Sequence, residues 1–161
     1  MGISKRLKAI AELVTAGCSA ADIGTDHGYV PIYLLRSGIS PYVIASDISE
    51  GSLLKARQNA ERFHLEDKME CRLSDGLENF RPGEADAAVI SGVGGILICG
   101  ILTAYPEVSV SFKELILSPQ RDAELVRSCV GELGFKLVHD EVIEDKGKKY
   151  TVLKAENTAS V

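Results

Sequence analysis

Short apolar runs alternate along this chain with segments in which apolar positions recur every three or four residues. Runs of the first kind predict buried strands, and segments of the second predict amphipathic helices. Ser4 is placed to cap a helix over Lys5–Thr15, with Leu7, Ile10, Ala11 and Val14 on one side, Lys5, Arg6 and Lys8 off it, and Gly17 at its end. Cys18–Ile23 reads as the first strand, followed by a polar turn and a helix over Pro31–Arg36, where proline is tolerated in the first turn. Tyr42–Asp47, Met69–Leu73, Ala85–Ser91 and Lys113–Leu117 read as further strands. Helices are expected over Ser49–His64, with Leu53, Leu54 and Ala60 inward, and over Ile96–Tyr105 and Asp122–Leu133. Phe135–Ile143 and Lys149–Ala155 read as a hairpin across Glu144–Lys148. Strands alternating with helices predict an α/β fold. Its sheet is mainly parallel and seven-stranded, with helices on both faces and one antiparallel strand supplied by the terminal hairpin.

A length of 161 residues suits one domain, expected over residues 1–156 with a frayed tail at 157–161. No apolar run reaches membrane-spanning length, and the basic start leads into a charged helix rather than an apolar signal core. A cytoplasmic protein is therefore expected, with no membrane partner. Cys18, Cys71, Cys99 and Cys129 are widely spaced with no C-x-x-C pair, which predicts free core thiols and no metal site. The net charge of −5 changes the picture for nucleic acid: any phosphate contact must come from a local basic face.

The chemistry gathers at the first strand-to-helix turn, Asp22-Ile23-Gly24-Thr25-Asp26-His27-Gly28-Tyr29. The first such turn of an open α/β sheet is where these folds bind nucleotide-like ligands. The spacing here is Gly24-x-Asp26-x-Gly28 rather than G-x-G-x-x-G, and Asp26 stands where a pyrophosphate needs bare backbone. A carboxylate there repels phosphate and favours a cation. That argues against NAD and for a nucleoside with a positive group, such as the sulfonium of S-adenosylmethionine; the other reading is a plain glycine-containing turn. Asp47, at the end of the second predicted strand, is placed to accept hydrogen bonds from both hydroxyls of a ribose; the other reading is a helix cap, a task Ser49 serves as well. Asp75-Gly76, after the third, suits the exocyclic amine and ring nitrogens of a base, or is simply a turn. Gly92-Val93-Gly94-Gly95 implies a close approach of backbone to a ligand or to a neighbouring chain segment.

Ser4-Lys5-Arg6-Leu7, Ala21-Asp22-Ile23-Gly24-Thr25-Asp26-His27-Gly28-Tyr29, Ala45-Ser46-Asp47, Asp75-Gly76-Leu77, Gly92-Val93-Gly94-Gly95 and Lys149-Tyr150-Thr151-Val152-Leu153 together resemble the TrmK family, bacterial tRNA (adenine(22)-N1)-methyltransferases. The likeness runs in order from about Ile3 to Glu156. It implies a class I S-adenosylmethionine-dependent methyltransferase fold, Rossmann-like, with S-adenosylmethionine as cofactor and tRNA as partner. Val93 stands where the family usually has Met. The family also carries a C-terminal helical coiled-coil extension, and this sequence ends at Val161, before it.

The candidate cofactor-binding residues are Asp22, Gly24, Asp26, His27, Asp47, Ile48, Asp75, Gly76 and Gly92; those for the substrate are Lys5, Arg6, Tyr29 and Gly94. Asp26 is the catalytic candidate, either beside the cation that forms on the target base or gripping the methionine ammonium. His27 reads as a base or as a turn-stabilising residue, and Arg36 and Arg121 are expected to extend the basic face. The alternatives are a methyltransferase for a small molecule or protein, and a non-catalytic cofactor-binding module acting as a partner subunit.

Overall fold

The computed structural model describes residues 2–159. Seven strands form one sheet in the order β3-β2-β1-β4-β5-β7-β6. They are β1 (Ala20–Ile23), β2 (Val43–Asp47), β3 (Met69–Leu73), β4 (Ala87–Val93), β5 (Glu114–Pro119), β6 (Phe135–Asp145) and β7 (Lys148–Asn157). The first five are mutually parallel, and β7 is antiparallel to both β5 and β6. The helices among the described residues are α1 (Lys5–Glu12), α2 (Tyr29–Arg36), α3 (Glu50–Arg62), α4 (Gly95–Ala104), α5 (Pro106–Ser109) and α6 (Ala123–Glu132). None is long and apolar enough to cross a membrane. The expected α/β class and terminal hairpin are therefore present.

Strand order reverses between β1 and β4, since chain order runs outward from β1 to β3 on one side and from β4 on the other. That reversal opens a crevice at the carboxyl ends of the strands, where open α/β sheets place ligands. The central strands are apolar on both faces, and β1 is buried at every position, as strands covered by helices on both sides must be. Two apolar clusters result. One sets Ile44, Leu77, Ile98, Leu102, Leu115 and Val126 on one face; the other sets Ile10, Val14, Ile32, Leu34, Val89 and Ile116 on the opposite face.

Several boundaries differ from those expected. Ser4 caps α1, accepting from the Leu7 N–H at 3.2 Å, but the helix ends at Glu12, and Gly17 instead donates its N–H to Ile39 O at 2.8 Å. α2 begins at Tyr29, two residues before Pro31. On α3 the buried face is Leu53, Ala56 and Ala60, spaced three and four apart, whereas Leu54 is rotated off it and exposed. β4 continues through Gly92 and Val93 on a bulge against β5, so half of the expected glycine loop belongs to the strand. α5, which starts on Pro106, was not expected. The hairpin strands are longer than expected and leave only Lys146-Gly147 as the turn. β7 carries Asn157 into the sheet, where its N–H donates to Lys113 O at 2.9 Å; residues 160 and 161 of the expected tail lie outside the described residues.

Candidate functional site

A cavity of about 570 Å³ opens at the crevice. Its floor is the end of β1 and the turn that follows, and its flanks are the ends of β2, β3, β4 and β5. Four carboxylic acids line it: Asp22, Asp26, Asp47 and Asp75. Among the described residues, Arg6 is the only cation that lines it. Ile23, Val30, Ile90, Leu97 and Ile101 give it an apolar wall. The carboxyls do not draw together: among the described residues no group of three or more metal-ligating side chains is arranged to hold an ion.

The β1–α2 turn is held open by its neighbour strand. The N–H groups of Gly24 and Thr25 both donate to Ser46 O, at 3.0 and 2.8 Å. The next N–H, of Asp26, donates to the Asp47 carboxylate at 2.9 Å. Asp47 therefore has a structural task besides its position at the end of β2: its second oxygen accepts from the Ser49 N–H at 3.0 Å. Each oxygen keeps a further lone pair for a ligand. Gly28 makes the turn possible. Its φ is +77°, and a Cβ there would lie 3.0 to 3.1 Å from the Met69 and Ala56 side chains, so α2 and α3 meet only over a bare backbone.

Asp22 is the deepest of the four acids, only 3% exposed. The Thr25 hydroxyl donates to it at 2.8 Å. Burial pushes its carboxyl up to about 7, the Thr25 bond opposes this, and the charges of Asp47 and Asp26 add to it. Asp26, in a left-handed backbone conformation at φ 57°, points outward with its side chain 72% exposed. The loop after β3 is tied to the same frame. The Ser74 N–H donates to Asp47 O at 3.0 Å, and the Ser74 hydroxyl donates to Gly76 O at 2.8 Å, which sets Asp75 and Gly76 on the rim.

All the expected site residues line the cavity except His27, Lys5 and Gly94. His27 turns aside: its ring meets the Tyr29 ring edge-on at 5.6 Å, its Nε2 stands 3.5 Å from Asp26, and its carbonyl accepts from the Asn59 amide at 2.9 Å. Lys5 is exposed on α1, one residue before Arg6. Gly94 caps α4 beneath the Arg121 side chain. The close approach promised by the glycine run is internal. A Cβ on Gly95 would fall within 3.0 Å of the Asp122 and Arg121 carbonyl oxygens, and the Gly95 N–H donates to Arg121 O at 2.8 Å. Arg36 is at the other end of α2, stacked 4.3 Å over Phe63, and does not extend a basic face beside the cavity. Lining residues that sequence reasoning passed over include Thr25, Ser74, Leu97 and Gln120. The first and last had a signal: Thr25 follows Asp22 by three, and Gln120 directly follows a strand end.

Residues 3–153 match the family model described as a methyltransferase domain. The chain is 38% identical over 154 residues to the tRNA (adenine(22)-N(1))-methyltransferase of Bacillus subtilis, covering 96% of this chain and 65% of that protein. It thus spans about two thirds of the length of that relative. The crystal structure of the B. subtilis M1A22 tRNA methyltransferase TrmK superposes with a TM-score of 0.92 at 37% identity, covering 97% of this chain and 67% of that one. A Streptococcus pneumoniae structure, Sp1610, a putative tRNA (m1A22) methyltransferase in complex with S-adenosyl-L-methionine, gives 0.92 at 34% identity, covering 97% and 73%. The match spans the sheet, the crevice and the acid-lined turn alike, and on that ground the chain belongs to the methyltransferase domain family, in its TrmK branch.

Proposed function

We propose that this domain transfers a methyl group from S-adenosylmethionine to N1 of the adenine at position 22 of tRNA. The observation that carries the reading is the charge of the cavity: four carboxyls and one guanidinium around a partly apolar cleft at the strand reversal. Such a lining disfavours a pyrophosphate and suits a nucleoside that carries positive charge. The names of the B. subtilis and S. pneumoniae relatives support the adenine and the cofactor.

S-adenosylmethionine, when bound, supplies a methyl group activated by its sulfonium. In this reading Asp47 accepts from the ribose hydroxyls with the lone pairs left by Asp26 and Ser49, and Ile48 covers the base beside it. Asp75 and Gly76 meet the edge of that base. Asp22 offsets positive charge in the depth of the cleft, and Gly24 and Gly92 keep backbone close to the ligand without side chains. N1 of adenine already presents a lone pair, so no side chain has to remove a proton before it attacks. The residues align the reactants and hold negative charge beside the cation that forms on the base. Asp26, at the mouth, takes the second task, and Tyr29 borders the entering base. His27 positions the turn and Tyr29.

The test is transfer of labelled methyl from S-adenosylmethionine to unmodified tRNA, with the modified position read by reverse-transcription arrest. Incorporation at adenine 22, lost when that base is changed to guanine, is expected. Cofactor binding without transfer to any tRNA would overturn the activity and favour the partner-subunit reading.

A further inference from the structure

The β6–β7 hairpin ends on the same edge of the sheet as the cavity. β7 runs antiparallel to β5 with Leu153 opposite Leu117, so its first residues run on past the carboxyl end of β5. The Ser118 hydroxyl donates to Thr151 O at 2.8 Å and fixes that alignment. The tip is basic: Lys146, Lys148 and Lys149 are all exposed. It is fastened to α1 across 139 positions of sequence by the Arg6 N–H, which donates to the Asp145 carboxylate at 3.1 Å. The Arg6 guanidinium lies 4.8 Å from the centroid of the Tyr150 ring, and the same side chain lines the cavity. Lys5 and Lys8 are exposed on that helix, whose first turn holds no acidic residue, so the positive end of its dipole adds to the field.

One corner therefore collects six cations against Glu144 and Asp145, in a chain of net charge −5. Strand register sets Lys148 opposite Asp145 and Lys149 opposite Glu144. Neither pair closes: among the described residues, the ion pairs within 4.0 Å include none of Lys5, Lys8, Lys146, Lys148 and Lys149. Asp145 is engaged instead with the α1 backbone. The lysine heads are left to an external anion. The interior of the cavity cannot be where that anion goes, because Asp22, Asp26, Asp47 and Asp75 repel it. A polyanion whose base enters the cavity must keep its phosphates on the rim, and at this corner the rim is cationic.

We propose that the β6–β7 hairpin tip and the start of α1 form one docking surface for the phosphate backbone of an RNA substrate. The inference rests on the methyltransferase reading of the cavity. Arg6, braced on Tyr150, contacts the phosphate nearest the target nucleotide, and Lys146, Lys148 and Lys149 contact the strand as it leaves. The charge is spread along a hairpin and a helix rather than on one flat face, which suits a nucleic-acid backbone that bends into a cleft.

The experiment compares wild type with the triple variant Lys146→Ala, Lys148→Ala, Lys149→Ala. S-adenosylmethionine affinity is measured by calorimetry, and tRNA affinity by filter binding between 50 and 200 mM salt. Each phosphate contact contributes about 0.7 to 0.9 to the slope of log affinity against log salt. Three lost contacts flatten the slope by about 2 to 3, so wild type should lose roughly twenty- to fortyfold more affinity than the variant over that interval. Cofactor affinity should stay within about twofold, which also reports an intact fold, and the matching Lys→Arg triple should bind tRNA as wild type does. An alanine triple with the wild-type slope, in a protein that methylates tRNA, overturns the docking surface and leaves the activity standing. Wild-type protein that binds tRNA through these lysines but transfers no methyl overturns the activity and supports the surface. Wild-type protein that does not bind tRNA overturns both.

Discussion

Replacing Asp22 with Asn tests whether the deep acid of the cleft is held there at a cost to the fold. The side chain is 3% exposed, and its carboxyl is raised from 3.8 to about 7, first by burial. The folded state therefore keeps a proton that the unfolded state releases near pH 4. Stability from this group is fully present below pH 3.8 and is lost as pH rises through about 7. At 1.36 kcal/mol per pKa unit the whole effect is about 4 kcal/mol, of which about 2.5 falls between pH 5 and pH 8. Asn keeps an acceptor for the Thr25 hydroxyl, now at 2.8 Å, and has nothing to ionise. The assay is urea denaturation of both proteins at pH 5, 6, 7 and 8. Stability of the variant relative to wild type should rise by about 2.5 kcal/mol across that range, and titrations common to both proteins cancel in the difference. A difference that does not change with pH would refute the account of a buried, desolvated acid. The same linkage acts on binding. A cationic ligand favours the ionised carboxylate, so below pH 7 the affinity of wild type for S-adenosylmethionine should climb by up to about tenfold per pH unit, and that of Asp22→Asn should not.

Asp47→Ala should weaken S-adenosylmethionine at least about tenfold in calorimetry, because hydrogen bonds to a charged acceptor are worth roughly 1.5–3 kcal/mol each. Unchanged affinity would remove Asp47 from the site. The same variant leaves the Asp26 and Ser49 N–H groups without their acceptor, so hydrogen exchange at both amides should speed up. Gly95→Ala should lower stability by about 1–3 kcal/mol, since the new Cβ would meet the Asp122 and Arg121 carbonyls within 3.0 Å and α4 would have to move; a denaturation midpoint equal to that of wild type would contradict the packing. Gly92→Ala meets no neighbouring atom and is strained only by its φ of +77°, so it should cost less stability than Gly95→Ala, and a reversed order in the same denaturation series would show the assignment of the close approach to be wrong.

Much of the fold was legible because its strands are short apolar runs between polar turns, and a sheet covered on both faces demands that pattern. The acids at strand ends were legible for a related reason. Asp22, Asp47 and Asp75 stand at or beside the carboxyl edge of their strands, where the buried Asp22 needs a partner and the more exposed Asp47 and Asp75 are open to a ligand. What could not be read was which glycine served which neighbour. Gly28, Gly92 and Gly95 look alike as letters, yet one admits α3, one turns a bulged strand at φ +77°, and one admits the backbone of the β5–α6 loop. Steric need at a glycine is set by what packs against it, and that neighbour is distant in sequence. Leu54 and Ala56 fail in the same way: the period marks a helix, but a one-residue error in phase puts the larger side chain on the wrong face.

The relative depth of Asp22 and Asp26 could not be read from spacing either, and it redistributes the chemistry. The two lie four residues apart in the chain. Asp22 is the third residue of a strand whose every position is buried, so its carboxyl is held in a medium that resists charge. Asp26 sits in a left-handed turn that directs it to solvent, with its side chain 72% exposed. A cleft built this way has one acid exposed at its mouth and one in its depth whose charge is conditional. In the proposed reaction the positive charge begins on the cofactor and ends on the base. The conditional charge then serves binding, since a cation drives Asp22 to ionise, and the exposed side chain of Asp26 stands where the product cation forms. The two variants should therefore separate. Asp22→Asn should raise the Kd for S-adenosylmethionine and remove its pH dependence. Asp26→Asn should leave that Kd within about threefold and lower the rate of methyl transfer at saturating cofactor by tenfold or more, the scale of one lost charge interaction of about 1.4 kcal/mol. If Asp26→Asn instead weakens the cofactor and spares the saturated rate, Asp26 grips the methionine ammonium, and the division of labour argued from depth is wrong.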